Sequence, residues 1–150
     1  MKARRFGMSR RAQSIIEFAL VIPLLMLVIL GIIAFGQLFS YRIRMDSAAR
    51  EAARFGIVGR DDTYLLTVIR NRLNTLPGVN NVCGTSPAGQ ACMFVTFLPA
   101  TCAARTVGAD FVVTIRYDAY ITVPVIGFFM SPKTLYARQV MRIEVPNCQG

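Results

Sequence analysis

Three sets of residues in this chain have the types that do chemistry: four cysteines, two adjacent aspartates, and one glutamate at the edge of an apolar run. Cys83, Cys92, Cys102 and Cys148 could form disulfides or a four-thiolate metal site. Structural zinc sites are built from closely spaced Cys-x-x-Cys pairs or recruit histidine, and this chain has no such pair and no His. The thiols therefore read as disulfides, with three pairings open. We favour Cys83 with Cys92, closing the intervening Gly-Thr-Ser-Pro-Ala-Gly-Gln loop, and Cys102 with Cys148, clipping the C-terminus to the body. In the chain-entropy picture these loops contribute about 2 to 3 and about 4 kcal/mol respectively. Asp61-Asp62 could be drawn as a metal or acid–base pair, but neighbouring acids just ahead of a helical pattern are caps. There is no Gly-rich phosphate loop and no Gly-x-Ser-x-Gly, and the only lysines are Lys2 and Lys133. No catalytic residue, metal ligand or cofactor is expected, and the chain reads as a non-enzyme.

The glutamate is Glu17. Behind it run 24 residues, Phe18 to Tyr41, without a charge. At about 1.5 Å per residue in a helix they more than span a hydrocarbon core of roughly 30 Å. A cleavable secretory signal has an apolar region of about 7 to 15 residues before a small-residue cut site. This run is longer and ends in Gln-Leu-Phe-Ser-Tyr-Arg, so it reads as a transmembrane helix with Pro23 bending it two turns in. Glu17 is either a first-turn acid favoured by the helix dipole or a charge held there to meet a positive one.

Residues 1 to 11 carry Lys2, Arg4, Arg5, Arg10 and Arg11 and no acid, which places that end in the cytoplasm and exports the residues beyond the helix. All four cysteines fall on the exported side, as oxidation requires. The organisation expected is a basic cytoplasmic leader over 1–12, the transmembrane part of an N-terminal helix over 13–41, and an extracytoplasmic domain over 42–150. That outer part is large enough for one core and too small for two. It has 12 basic and 7 acidic residues. Its arginines alternate with apolar residues instead of clustering, so nucleic acid is not an expected partner; the leader suits anionic lipid.

From Tyr41 to Phe55 the chain lacks Gly and Pro, with Asp46 placed to pair with Arg50, so the helix is expected to continue from Ser14 to Phe55. Ala48, Ala49, Ala52 and Ala53 form a smooth stripe suited to core packing or to subunit contact. Gly56 and Gly59 break the helix, and a second, short helix comes next, with Leu65, Leu66, Ile69, Leu73 and Leu76 at helical spacing. Beyond the loop over 78–92 the period becomes two. Cys92–Leu98, Phe111–Val123 and Thr134–Val145 read as strands of an antiparallel meander whose apolar face the helices must cover. The fold class is α+β. Between the last two strands lies Pro-Val-Ile-Gly-Phe-Phe-Met-Ser-Pro, apolar for a turn; it either folds back onto the sheet edge, dips into the bilayer surface or docks another subunit, and the last of these makes Phe128 and Phe129 a candidate interface.

The run Arg10 to Leu25, then Gly31-Ile-Ile-Ala-Phe-Gly36 and Ala48-Ala-Arg-Glu-Ala-Ala-Arg54, resembles the TadE-like pilus-assembly proteins. These are minor pilins or pseudopilins of tight-adherence (Flp-type, type IVc) pili, and the resemblance implies a pilin-like architecture. It implies cleavage of the leader by a prepilin peptidase between Ala12 and Gln13, where Ala12 stands in the place of the usual Gly. Glu17 then becomes the fifth mature residue and, beside Phe18, an assembly determinant facing a new α-amino group. The implied partners are other pilins and the pilus assembly platform. The implied location is the bacterial inner membrane, single-pass, with the outer domain periplasmic or on an extracellular pilus. The competing expectation is a permanently anchored periplasmic accessory or scaffold of a secretion system.

Overall fold

The computed structural model describes residues 10–83, 90–119 and 133–146, with side chains from Gln13 onward. Phe128, Phe129 and Cys148 lie outside the described residues. Helix α1 (Arg10–Ile57) is 48 residues long and contains Pro23; at about 1.5 Å per residue it is about 70 Å long. Helix α2 (Asp62–Arg72) comes after it, then strands β1 (Cys92–Leu98), β2 (Asp110–Ala119) and β3 (Lys133–Arg142), with one 3-10 turn at Cys102–Ala104. The three strands form one antiparallel sheet in the order β1-β2-β3. The architecture is α+β, a long N-terminal helix and a short second helix with a small antiparallel sheet.

Chemistry local to each helix end explains where it stops. Gly59 adopts φ 82°, donating to the Gly56 carbonyl at 3.3 Å while Arg60 donates to that of Phe55 at 3.2 Å. This paired closure is a Schellman cap, and only glycine enters that left-handed conformation cheaply. Gly56, expected to share in the break, is instead helical. A Cβ there would lie 2.0 Å from Phe111 Cε1, so the glycine serves close approach of α1 to the sheet. At α2, Asp61 is the N-cap, accepting from the Thr63 amide at 3.3 Å and from the Thr63 hydroxyl. The Thr63 hydroxyl, with the amides, holds the Asp61 carboxyl below its ordinary range. The helix closes at Leu73, earlier than the apolar spacing predicts, yet Leu73 and Leu76 are buried in the turns beyond it.

The sheet register puts Met93, Tyr117 and Leu135 in one inward row and Val95, Ile115 and Ala137 in the next. Phe111, Val113, Ile115, Tyr117 and Ala119 on β2 are buried, as period-two alternation requires when one face is covered. The cover is helical: Met45, Ala48, Ala49, Ala52 and Ala53 of α1 and Leu65 and Ile69 of α2 share the core. The alanine stripe is thus spent inside this chain. Pairing of β3 ends at Arg142, short of the expected Val145. Ile143 donates to Ala109, and the amides of Glu144 and Val145 both reach the Ile57 carbonyl, at 3.2 and 3.1 Å, tying the strand's exit to the end of α1.

Two polar details depart from the linear pattern. Asp46 pairs backwards with Arg42 at 3.5 Å, not forwards with Arg50. Arg105 is buried in the head, paired with Asp62, donating to the Arg60 carbonyl at 3.2 Å and stacked 4.6 Å from the Phe111 ring centre. A desolvated arginine needs such partners, and these lock the 3-10 segment onto the start of α2.

Candidate assembly interface

The feature that sets the chemistry of this molecule is the N-terminal half of α1. From Gln13 to Ile29 every side chain is exposed, Phe18 to 67% and Leu20 to 74%. A soluble helix buries its apolar face; this one presents apolar side chains on all faces, and among the described residues it is the one helix long and apolar enough to cross a membrane. Gly31 and Gly36 have nothing within 4 Å of where a Cβ would stand, so no packing among the described residues requires them. In a bilayer, smooth glycine positions let a second helix approach closely.

Glu17 is the sole charged residue between Arg11 and Arg42, and it is exposed on the helix surface beside Phe18. Gln13 lies one turn before it, also exposed, and Ala12 is helical. A carboxylate in apolar surroundings demands a cation or hydrogen-bond donors. With Arg10 and Arg11 in the same helix one to two turns earlier, the sequence places a basic group on either side of the membrane-length run and one acid inside it.

Buried Ala34, Met45, Ala48 and Ala52, with half-buried Leu38 and Tyr41 between them, recur on α1 at three- and four-residue steps and mark the transition to the head. Tyr41 meets Tyr117 edge to face, with centroids 6.0 Å apart. The Tyr117 hydroxyl donates to the Pro77 carbonyl at 2.6 Å, and burial, with Tyr41 close by, pushes its pKa upward. The bare half of α1 is therefore continuous with a half that is packed on the head.

This segment has relatives. Residues 12–54 match the family model described as TadE-like protein. Over its long helix the chain is similar to TadE-like proteins. The match begins at Ala12, takes in Glu17 and the membrane-length run, continues through the alanine stripe and stops three residues before α1 does. No curated protein and no solved structure matches the chain.

The remaining residues singled out from sequence sit in the head. Cys83 and Cys92 are joined, with Cα atoms 4.9 Å apart, pinning the 81–83 segment that bridges to Met93. Their sulfurs lie close to Asp118, a grouping that has the outline of a metal site, but sulfurs committed to a disulfide supply no thiolate ligands. Partial burial pushes the Asp118 carboxyl up, while hydrogen bonds from Arg116 and Thr134 and the Arg116 charge outweigh it, leaving the group below its ordinary range. Cys102 is also disulfide-bonded. Sequence reasoning did not find Arg105, nor the Pro77–Tyr117 hydrogen bond, because both depend on segments 40 or more residues apart.

Proposed function

We propose that this protein is a non-enzymatic minor pilin or pseudopilin of a tight-adherence pilus, inserted in the inner membrane by α1 with its head outside. Other pilins and the assembly platform are its partners, and α1 is its assembly surface. The observation that carries the reading is the bare, TadE-like half of α1 with its lone Glu17. In lipid such a surface is already solvated by acyl chains. Once lifted into water it must be buried against other helices, each large side chain being worth about 1.5–3 kcal/mol. Cleavage after Ala12 by a prepilin peptidase would make Gln13 an α-ammonium, a cation at neutral pH. Glu17 of one subunit and Gln13 of its neighbour would then neutralise each other inside the helix bundle. Because a mispaired charge there is costly, the pair sets the register between subunits.

Ala12 in place of the usual glycine supports a second reading, a protein that keeps its leader and stays in the membrane as a periplasmic accessory or scaffold. Intact-mass and N-terminal analysis of protein from its own membranes, under non-reducing conditions, separates the two. A chain starting at Gln13 with both disulfides is the expected result. A chain starting at Met1 transfers the assignment to the scaffold.

A further inference from the structure

Between the two helices and β3 runs an open groove of about 890 Å³ lined by Arg50, Arg54, Phe55 and Val58 of α1 and its end, Arg72 of α2 and Met141 of β3. Glu51, the one acid among its described lining residues, is engaged by Arg72 at 2.8 Å. No acid among the described residues pairs with Arg50 or Arg54, so the groove presents two uncompensated cations one helical turn apart over an apolar floor. Such a site fits two carboxylates at the same spacing with an apolar residue between them.

Height decides between lipid and protein. Arg50 and Arg54 lie nine and thirteen residues beyond Tyr41, about 13 and 20 Å along the helix. A headgroup layer is only about 5–8 Å deep on each side. Arg42 and Arg44 occupy that layer, whereas the groove stands above it. A second copy of this chain is a poor occupant. Asp46, Glu51, Asp62 and Asp118 are paired internally and Asp61 is a cap; the remaining two of its 7 acids, Asp110 at the start of β2 and Glu144 past the end of β3, are exposed but stand on no helix and not four residues apart, and the outer part carries 12 bases. We infer that the groove docks an acidic helix of a different protein subunit, one bearing two carboxylates four residues apart, lying alongside α1 just above the membrane. The inference rests on the assembly reading only in taking the occupant for a subunit, and the experiment reads it without reference to leader cleavage.

The test uses full-length protein in phosphatidylcholine nanodiscs and labelled alanine-based helical peptides carrying Glu-Ala-Leu-Ala-Glu, or Gln or Lys in place of both Glu. At low salt the Glu peptide should bind about tenfold tighter than the Gln peptide, the order of effect of two exposed ion pairs. In the double variant Arg50→Glu/Arg54→Glu the preference should reverse toward the Lys peptide. Equal binding of Glu and Gln peptides, or an unchanged preference in the variant, would overturn the inference. The chain has no tryptophan, so Val58→Trp gives a single reporter in the groove wall. Its emission should respond to the Glu peptide and not to headgroup-spin-labelled phosphatidylglycerol; quenching by that lipid with no response to the peptide would assign the groove to lipid and sink the proposal.

Discussion

The two halves of α1 are one continuous helix with opposite relations to the rest of the chain. Above Tyr41 its inward face is alanine, fully buried, and its one internal glycine, Gly56, is required by the ring of Phe111. Below, from Gln13 to Ile29, large apolar side chains are exposed on all faces, and among the described residues nothing stands within 4 Å of where a Cβ would sit on Gly31 or Gly36. Small residues therefore mean different things in the two halves. In the upper half they let this chain's own sheet come close, and in the lower half they leave space that no described residue fills.

Substitutions can break that contrast, and the largest effect is expected at Gly56. Gly56→Leu drives a side chain into Phe111 and should cost about 3 kcal/mol or more, read as a fall in the head's unfolding midpoint. Ala52→Leu overpacks the same layer with no backbone constraint and should cost about 1–3 kcal/mol. At about 4–8 °C per kcal/mol, thermal melts in detergent resolve both.

Tyr117 sits where the halves meet. Tyr117→Phe removes the hydrogen bond to Pro77 and should cost about 1 kcal/mol at neutral pH. Burial raises this phenol above its ordinary value, so the folded state favours the neutral form. Its contribution is intact below the ordinary tyrosine pKa of about 10 and is lost as pH climbs from there toward the higher folded value. The phenylalanine variant should accordingly show a flatter alkaline limb in stability against pH. An alkaline limb identical to that of the parent would remove Tyr117 from the account.

The smallest effect on folding is expected in the lower half. Gly36→Ala has open space to enter and should leave the head's midpoint within about 0.5 kcal/mol of wild type. Its consequence, if α1 packs on a neighbour there, appears only in assembly.

Much of this was legible in sequence because burial imposes a period. The apolar run, the alanine stripe and the alternation of β2 each report a face, and the structure buries or exposes those faces accordingly. What periodicity cannot carry is a meeting between distant segments. Gly56 has the appearance of a helix breaker until Phe111 is placed beneath it. Arg105 looks like a loop cation until Asp62 and the Phe111 ring surround it. Asp46 has arginines four residues away on both sides, and the i,i+4 rule alone does not choose between Arg42 and Arg50. The groove of Arg50, Arg54 and Arg72 was likewise hidden, since Arg72 joins it from another helix.

The claim that the lower half of α1 assembles through its single carboxylate is tested most directly by Glu17→Val. In cells carrying the remaining pilus components, insertion would be tracked by protease accessibility of the head, folding by its melting midpoint, and assembly by the amount recovered with sheared pili. The account predicts an inserted, normally folded protein that is depleted from the pilus fraction. Recovery there at the wild-type level would contradict it.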